Sequence, residues 1–375
     1  MAYPLPPATV SVERITKFED FLALKSDWDE LAATSPNPLL SHDWFRACLT
    51  AFDPDAELAV FAARAGGRLR AVAPLLVVRS LVGRRLRLIG HQTMEPEAFL
   101  FDHEPALEAA CAAALASRLP LALRRLDDEG AELRALQGLG EGRGLQLVRP
   151  GTTQTHTTVF AGNWAATEAA MPSRKRAVIN KQRRYLEKEG AVQFEVLDVA
   201  EERLDEVLEE FIQVEAASWK SRTATALKLD QRLRRFLRDF AAAASRAGKL
   251  RISFLRLNGR AIASQIDVEQ GGRLWGLKSG ADEAWSKFGP GVLCFHELAR
   301  WGAERGLSGR EHLGRAEGWQ TRWPYEKRGQ SSFRFYPARP LGVAVFVADA
   351  VEVARRKLAE RLQAPAPPAK VSPRT

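Results

Sequence analysis

Phe288-Gly-Pro-Gly-Val-Leu leads from a strand-rich region into a helix. Pro290 falls at the cap or first turn of that helix, where its missing N–H costs little. Gly289 and Gly291 remove side-chain bulk, so main-chain N–H groups and the helix dipole can approach an anion closely. With Lys287 supplying charge, Lys287, Gly289, Pro290, Gly291 and Val292 form a candidate phosphate cradle. A plain loop-to-helix turn reads the same way, and a cleft beside the turn would separate the two. Just upstream, Trp275-Gly-Leu-Lys-Ser-Gly-Ala-Asp-Glu ends a strand. Lys278 near Asp282 and Glu283 could bind substrate or tune a base, or could form a surface ion pair. Glu215 and Trp219 stand four apart on one helix face, as a polar anchor and pocket wall or as core.

Ser173–Lys188 carries Arg174, Lys175, Arg176, Lys181, Arg183, Arg184 and Lys188. Val178, Ile179, Tyr185 and Leu186 share one arc of its helical wheel, and every cation but Lys175 falls opposite. A helix resting on a core and facing phosphates shows that division, and so does a solvated helix. The six histidines form no HxxxH or HxH pair, so no metal site is expected. His296, at the edge of an apolar arc, reads as a satisfied core histidine. Cys48, Cys111 and Cys294 lie far apart in helix-like stretches, which suits a reducing compartment rather than a disulfide framework. P-loop, GxSxG and HExxH patterns are absent.

The elements that must position these groups follow from periodicity. Apolar strands Leu58–Arg64 and Leu69–Arg79 flank Gly66-Gly67, and Leu250–Leu257 and Arg260–Glu269 flank Asn258-Gly259, a strong hairpin signal. Arg273–Ser279 adds a strand, Gly291–Arg305 a helix and Arg310–Leu313 a further strand. Helices are also expected over Phe18–Ala33, from Ser41 as N-cap, over Pro105–Arg118 and over Trp164–Glu189; short strands are expected at Gln146–Arg149 and Thr155–Phe160. The two halves share one order of elements, which predicts a degenerate duplication with its boundary near Gly151–Gly162. The expected units are residues 1–155, 156–340 and 341–375. The last holds a helix, Leu341–Leu362, with Arg355, Arg356, Lys357 and Arg361 near its end, followed by a disordered Pro-rich tail. Such a helix packs on the body or lies on a membrane surface.

The chain has 375 residues, 46% apolar and 27% charged, a balance that excludes a mainly disordered chain. A net charge of +9 favours anionic partners. The longest apolar run, Leu341–Ala348, is too short to cross a bilayer, and no signal segment is visible, so a cytoplasmic location is expected.

Six segments in order carry a resemblance: Ser173-Arg-Lys-Arg with its basic helix, Glu215-Ala-Ala-Ser-Trp-Lys, Asn258-Gly-Arg-Ala-Ile-Ala-Ser-Gln, Leu277-Lys-x-x-x-Asp-Glu, Gly289-Pro-Gly and Glu311-His-Leu-Gly. Over about Ser173–Trp323 the chain resembles GNAT-like acyltransferases with a BioF2-like acetyltransferase domain (the CelD or cellulose-biosynthesis type). It is more distantly similar to FemAB-type peptidyltransferases. The resemblance implies an α/β (α+β) fold of two tandem GNAT-like domains, each a mixed, mostly antiparallel sheet flanked by helices. It implies acetyl-CoA or another acyl-CoA as co-substrate and N-acylation of an amino sugar, polysaccharide precursor or small metabolite in exopolysaccharide biosynthesis, in the cytoplasm or peripheral to the inner membrane. An aminoacyl-tRNA-dependent transferase and a non-catalytic partner-binding scaffold are the alternatives.

On this reading the Gly289–Val292 loop receives the pyrophosphate and main-chain N–H groups of Arg273–Leu277 polarise the thioester carbonyl. Lys278, Asp282, Glu283 and Glu311 are the catalytic candidates, while Glu215, Trp219, Gln265, Trp275, Arg176 and Arg183 bind substrate. The sequence departs from the family at Ser286, where Arg or Gln opens the loop; at Gly289, where Ser precedes Pro-Gly; at Glu311-His, where Asp-Phe is usual; and at Trp319-Gln320, which replaces Tyr-Lys.

Overall fold

The computed structural model describes residues 9–80, 82–218 and 230–363. The N-terminal lobe comprises β1 (Val10–Ile15), α1 (Phe18–Ala23), α2 (Lys25–Ala32), α3 (His42–Phe52), β2 (Glu57–Ala65), β3 (Arg68–Ser80), β4 (Gly83–Leu88), β5 (Leu100–Phe101), α4 (Glu104–Ala116), β6 (Leu121–Asp127) and α5 (Ala131–Gly140). A long strand, β7 (Gly144–Val159), leads into the C-terminal lobe. There follow α6 (Trp164–Ala169), α7 (Ser173–Leu186), β8 (Val192–Asp198), α8 (Leu204–Ala216), α9 (Gln231–Arg246), β9 (Leu250–Leu257), β10 (Arg260–Gln270), β11 (Arg273–Ala281), α10 (Pro290–Glu304), β12 (Gly309–His312), β13 (Tyr325–Pro337) and α11 (Pro340–Gln363).

The fold is α/β, a mostly antiparallel sheet flanked by helices. One continuous sheet runs β1-β2-β3-β4-β6-β13-β7-β12-β11-β10-β9-β8, with β5 beside β3. Each lobe repeats one plan: an antiparallel meander whose last strand has a parallel neighbour, β4 with β6 and β11 with β12. The strands that complete the lobes are exchanged. β7 follows the N-terminal lobe but pairs through His156–Val159 with β12. β13 follows the C-terminal lobe but pairs through Gln330–Phe335 with β6. The two long strands also pair with each other from Tyr325↔Thr158 to Pro337↔Gly144. The boundary placed at residue 155 thus falls inside β7, whose two halves serve different lobes.

Expected strands 146–149 and 155–160 are one element because the register shift between Gln330 and Ser332 lets β7 bulge through Pro150-Gly151 without leaving the sheet. Expected helix 164–189 is two elements. Pro172 removes a donor and clashes with a continuing helix, so α6 ends and α7 begins afresh. Helix 18–33 likewise divides, at Leu24. On α7, Ile179 and Leu186 are buried, but Val178 and Tyr185 face solvent, 41% and 46% exposed, so the buried seam is narrower than the apolar arc.

The hairpin at Asn258-Gly259 forms as read, both residues at positive φ. Ser41 Oγ accepts from Trp44 N and caps α3 as expected. The three cysteines are free and buried. A large core spans the N-terminal lobe and reaches α8 and α9, and a second packs around α10. The lobes meet where Trp44 of α3 stands edge-on to Phe236 and Phe240 of α9, each at 4.9 Å between centroids. Burying such rings contributes roughly 1.5–3 kcal/mol apiece. The tail from residue 364 lies outside the described residues.

Candidate functional site

β11 and β12 pair in parallel only over Leu274↔Arg310, Trp275↔Glu311 and Gly276↔His312. Beyond Gly276 the strands part, and Leu277 bulges where the β10 register shifts between Ile266 and Asp267. Splayed strands leave an opening at mid-sheet. A cavity of about 830 Å³ occupies it, walled by both lobes. From the C-terminal lobe come Gly276–Glu283, Gly289–Val292, Gln265, Arg310 and His312. The N-terminal lobe contributes Trp44 and Phe52 of α3 and the loop Gln92–Glu95.

The cradle loop therefore does open into a cleft. Gly289 is left-handed at φ 63, and a Cβ there would come within 2.6 Å of Gln182 Nε2 on α7, so only glycine suits the turn. Val292 N and Leu293 N both donate to Gly289 O, at 3.0 and 3.1 Å. Among the described residues no partner meets Gly291 N–H, so the helix end offers one amide rather than several, backed by the α10 dipole.

Lys278, Asp282, Glu283, Gln265, Gly289, Pro290, Gly291 and Val292 are brought together around the cavity. Asp282 is largely occupied: Oδ1 accepts from Ala284 N at 3.0 Å and Oδ2 from Arg260 Nη2 at 2.8 Å. Such a carboxylate caps the short helical turn after β11, and that weakens its claim to be a base.

Other sequence candidates lie elsewhere. Strand alternation sends Trp275 and Glu311, register partners, to the face opposite Arg310 and His312. Glu311 accepts from Thr157 Oγ1 at 2.5 Å and Arg273 Nη1 at 2.7 Å, so it is a structural acceptor away from the cleft. Trp275 Nε1 donates to Gln270 O. Lys287 is exposed, 3.8 Å from Glu189 and over the Phe288 ring. Arg176 donates to Glu168 O and Arg183 pairs with Glu297, so neither lines the cavity. Glu215 is buried where α8 presses on β11, with Ser218 at the cavity wall instead. Trp219 lies outside the described residues. His296 is buried, but neither ring nitrogen has a partner among the described residues; burial, then Arg183 and Arg300, lower its pKa to about 3, so it is a neutral core ring.

Beneath the cleft lies a polar floor that pattern reading did not reveal. Arg310 Nε donates to Asp267 Oδ1 at 2.5 Å with both side chains buried. Arg310 Nη1 meets His312 Nδ1 at 3.0 Å, and His312 Nε2 meets Thr158 Oγ1 at 2.8 Å. Burial pushes the Asp267 carboxyl up against the pull of Arg310, and burial with Arg310 beside it holds His312 well below the usual imidazole value. A Cβ at Gly276 would meet the Arg310 guanidinium at 2.1 Å, so this glycine makes room for the pair.

The N-terminal wall brings a second missed group, Glu95. Burial raises its carboxyl to about 7, against the opposing pull of Arg125 and Lys278. The legible signal was Met94-Glu95-Pro96-Glu97, two carboxylates held extended by proline between apolar stretches. Among the described residues no group of three potential metal ligands occurs, and no helix is long and apolar enough to cross a membrane.

Residues 173–321 match the family described as the acetyltransferase (GNAT) domain. Among solved structures, the chain is similar to FemX at a TM-score of 0.58 and 13% identity, covering 86% of this chain and 96% of that one. It is also similar to the C-terminal DUF2156 domain of an Agrobacterium fabrum protein, at 0.53 and 12%, covering 88% and 96%. A conserved protein of unknown function from Bacteroides thetaiotaomicron follows at 0.51 and 14%, covering 87% and 99%. At these identities the likeness is one of fold. No curated protein sequence matches the chain.

Proposed function

We propose that this acyltransferase, whose residues 173–321 match the acetyltransferase (GNAT) domain family, moves an acyl group from acyl-CoA, acetyl-CoA being the simplest donor, to an amine of an amino sugar, polysaccharide precursor or small metabolite. The observation that carries the reading is the cleft where β11 leaves β12, with the α10 N-terminus in its wall. The pyrophosphate of the donor rests against Gly291 N–H and the helix dipole. The thioester carbonyl lies along β11 past Gly276, where main-chain donors stabilise the developing oxyanion. Fixed side by side, amine and thioester react as one bound pair. Lys278 orients the acceptor or faces the departing sulfur, and Gln265 lines the floor. The BioF2-like subtype, a role in exopolysaccharide synthesis and the division into tandem units 1–155 and 156–340 belong to the same proposal.

The test is a set of acyl-CoAs, free CoA and tRNA against the purified protein, read by thermal shift, where a ligand binding the native state stabilises by mass action. A Cβ at Gly291 would sit 3.4 Å from Ala281 Cβ, so alanine fits and a bulkier side chain enters the cleft. Gly291→Ala should keep acetyl-CoA affinity within a few-fold and Gly291→Leu should lose it at least tenfold. Unchanged affinity in Gly291→Leu removes the proposal.

One observation favours a second reading, a tRNA-borne donor. Exposed Arg174, Lys175, Lys181 and Arg184 decorate α7, with Lys188 just past its end, and Gln182 of α7 abuts the cradle loop. Binding of tRNA that weakens steeply with salt would select it. We further propose that α11 meets the inner-membrane surface from the cytoplasmic side. Its inner side is tied down through Asp349, which accepts from Arg85, Arg334 and Tyr336, while Val343, Val347, Val351 and Leu358 face outward.

A further inference from the structure

We propose that Glu95, on the N-terminal lobe, receives the acceptor as an ammonium ion and takes its first proton, so that the two lobes share one reaction centre. This rests on the acyltransferase reading above. The placement of the loop carries the inference. Glu95 lines the cavity, and its Oε2 is buried with no hydrogen-bond partner among the described residues. A carboxylate oxygen kept dry and unpaired costs stability unless a ligand or a proton satisfies it.

The loop is built for that position. Met94, next to it, adopts φ 64, and Arg125 adopts φ 54 where β6 bulges against β13. Left-handed backbone at residues other than glycine is strained and clusters where function demands it. Arg125 acts as a staple: Nη1 donates to Met94 O, Nη2 to Leu313 O beyond β12, and Nε to Gln330 Oε1 at 2.8 Å. One strained residue thereby fixes the Glu95 loop to the C-terminal lobe.

The charges facing Glu95 are Arg125 from β6 and Lys278 from β11. Behind Arg125 stand Arg315, Glu97 and Arg124. Burial outweighs the cations and places the Glu95 carboxyl near 7, within reach of a general base at neutral pH. In the step, R–NH₃⁺ gives one proton to the Glu95 carboxylate. The freed nitrogen pair attacks the thioester carbon; the C–N bond forms and the C–S bond breaks. The pair from that bond stays on the CoA sulfur, which takes the second proton lost by nitrogen. Glu95 then returns its proton to water, leaving amide, CoA-SH and H⁺.

The experiment uses the full-length protein with acetyl-CoA and four primary amines, glucosamine, lysine, spermidine and benzylamine. Acyl transfer and calorimetric binding are measured from pH 5.5 to 8.5 for wild type, Glu95→Gln and Glu95→Asp. Only ionised Glu95 accepts the proton, so wild-type kcat/KM should rise through an inflection near 7. Glu95→Gln should lose that inflection and fall by about 10²–10⁴. Glu95→Asp should recover part of the rate, and both variants should bind acetyl-CoA within twofold of wild type. Wild-type rate and pH profile in Glu95→Gln overturn the proposal while leaving the acyltransferase reading intact. Wild type that binds acetyl-CoA but none of the amines overturns the ammonium acceptor. Wild type that binds no acyl-CoA removes the underlying reading, and this proposal with it.

Discussion

Replacing Arg310 by methionine probes the floor of the cleft. The change removes the partner of Asp267, a carboxylate 1% exposed and 2.5 Å from the Arg310 guanidinium. Breaking a buried pair from one side leaves an uncompensated charge and costs about 3–5 kcal/mol. His312 also loses its contact to Arg310 Nη1, so the expected loss lies toward the upper part of that range. Urea unfolding followed by tryptophan fluorescence reads it as a fall in midpoint at constant slope. The pH dependence supplies the sharper signature. Without Arg310, Asp267 in the folded chain takes up a proton well above the ordinary unfolded value of about 3.9. Between those two values the folded state binds more protons than the unfolded chain, so stability falls as pH rises. Arg310 holds the wild-type carboxyl below where it stands in the variant, so the deficit relative to wild type is largest at pH 7 and narrows toward pH 5. The double variant Asp267→Leu/Arg310→Met, which removes both charges, should recover most of the loss. A deficit under 1 kcal/mol, or one that does not narrow at low pH, refutes the reasoning.

Phe236→Ala empties the wall between α3 and α9, where Phe236 meets Trp44 at 4.9 Å and Phe52 at 5.4 Å. It should destabilise by about 3–5 kcal/mol in the same unfolding assay. Glu311→Gln should cost about 1–3 kcal/mol through its bonds to Thr157 and Arg273, yet leave acyl transfer within twofold because the side chain faces away from the cleft. A tenfold rate loss at unchanged stability would reverse that orientation.

Local chemistry made much of this fold legible. Asn258-Gly259, the Ser41 cap and the start of the helix at Pro290 are specified by residues within a few positions of each other, and each formed as read, although among the described residues the glycine loop leaves one free amide where several were expected. Long-range pairing was not legible. That β7 and β13 exchange lobes depends on which edges are left open after the meanders close, and no local pattern encodes it. The same limit explains the site. Lys278, Asp282 and the cradle share one stretch of chain, so sequence proximity foretold their meeting. Glu311 was misplaced because a strand side chain's face is decided by register, and a slip of one residue inverts it. Glu95 and the Asp267–Arg310 pair join segments far apart in sequence, and their chemistry exists only after burial removes water from the carboxylates.

Strand exchange also ties the first half of the chain to a domain that by family pattern ends near residue 321. β12 has only four residues, and its outer edge is closed by β7, which arrives from the N-terminal lobe. β6 is closed in turn by β13, which arrives from the C-terminal lobe. Neither meander can shed its partner without exposing a row of unpaired main-chain groups. With the lobes locked through two long strands, the cleft wall contributed by α3 and the Gln92–Glu95 loop has a fixed position against β11. Arg125 reinforces that position by binding main-chain oxygens on both sides of the cleft, Met94 O and Leu313 O. A rigid junction holds reacting groups in register at no ordering cost during each turnover, which is where preorganised sites gain their rate. On the proposed reading, the first half supplies an acceptor wall to a donor site that the second half builds.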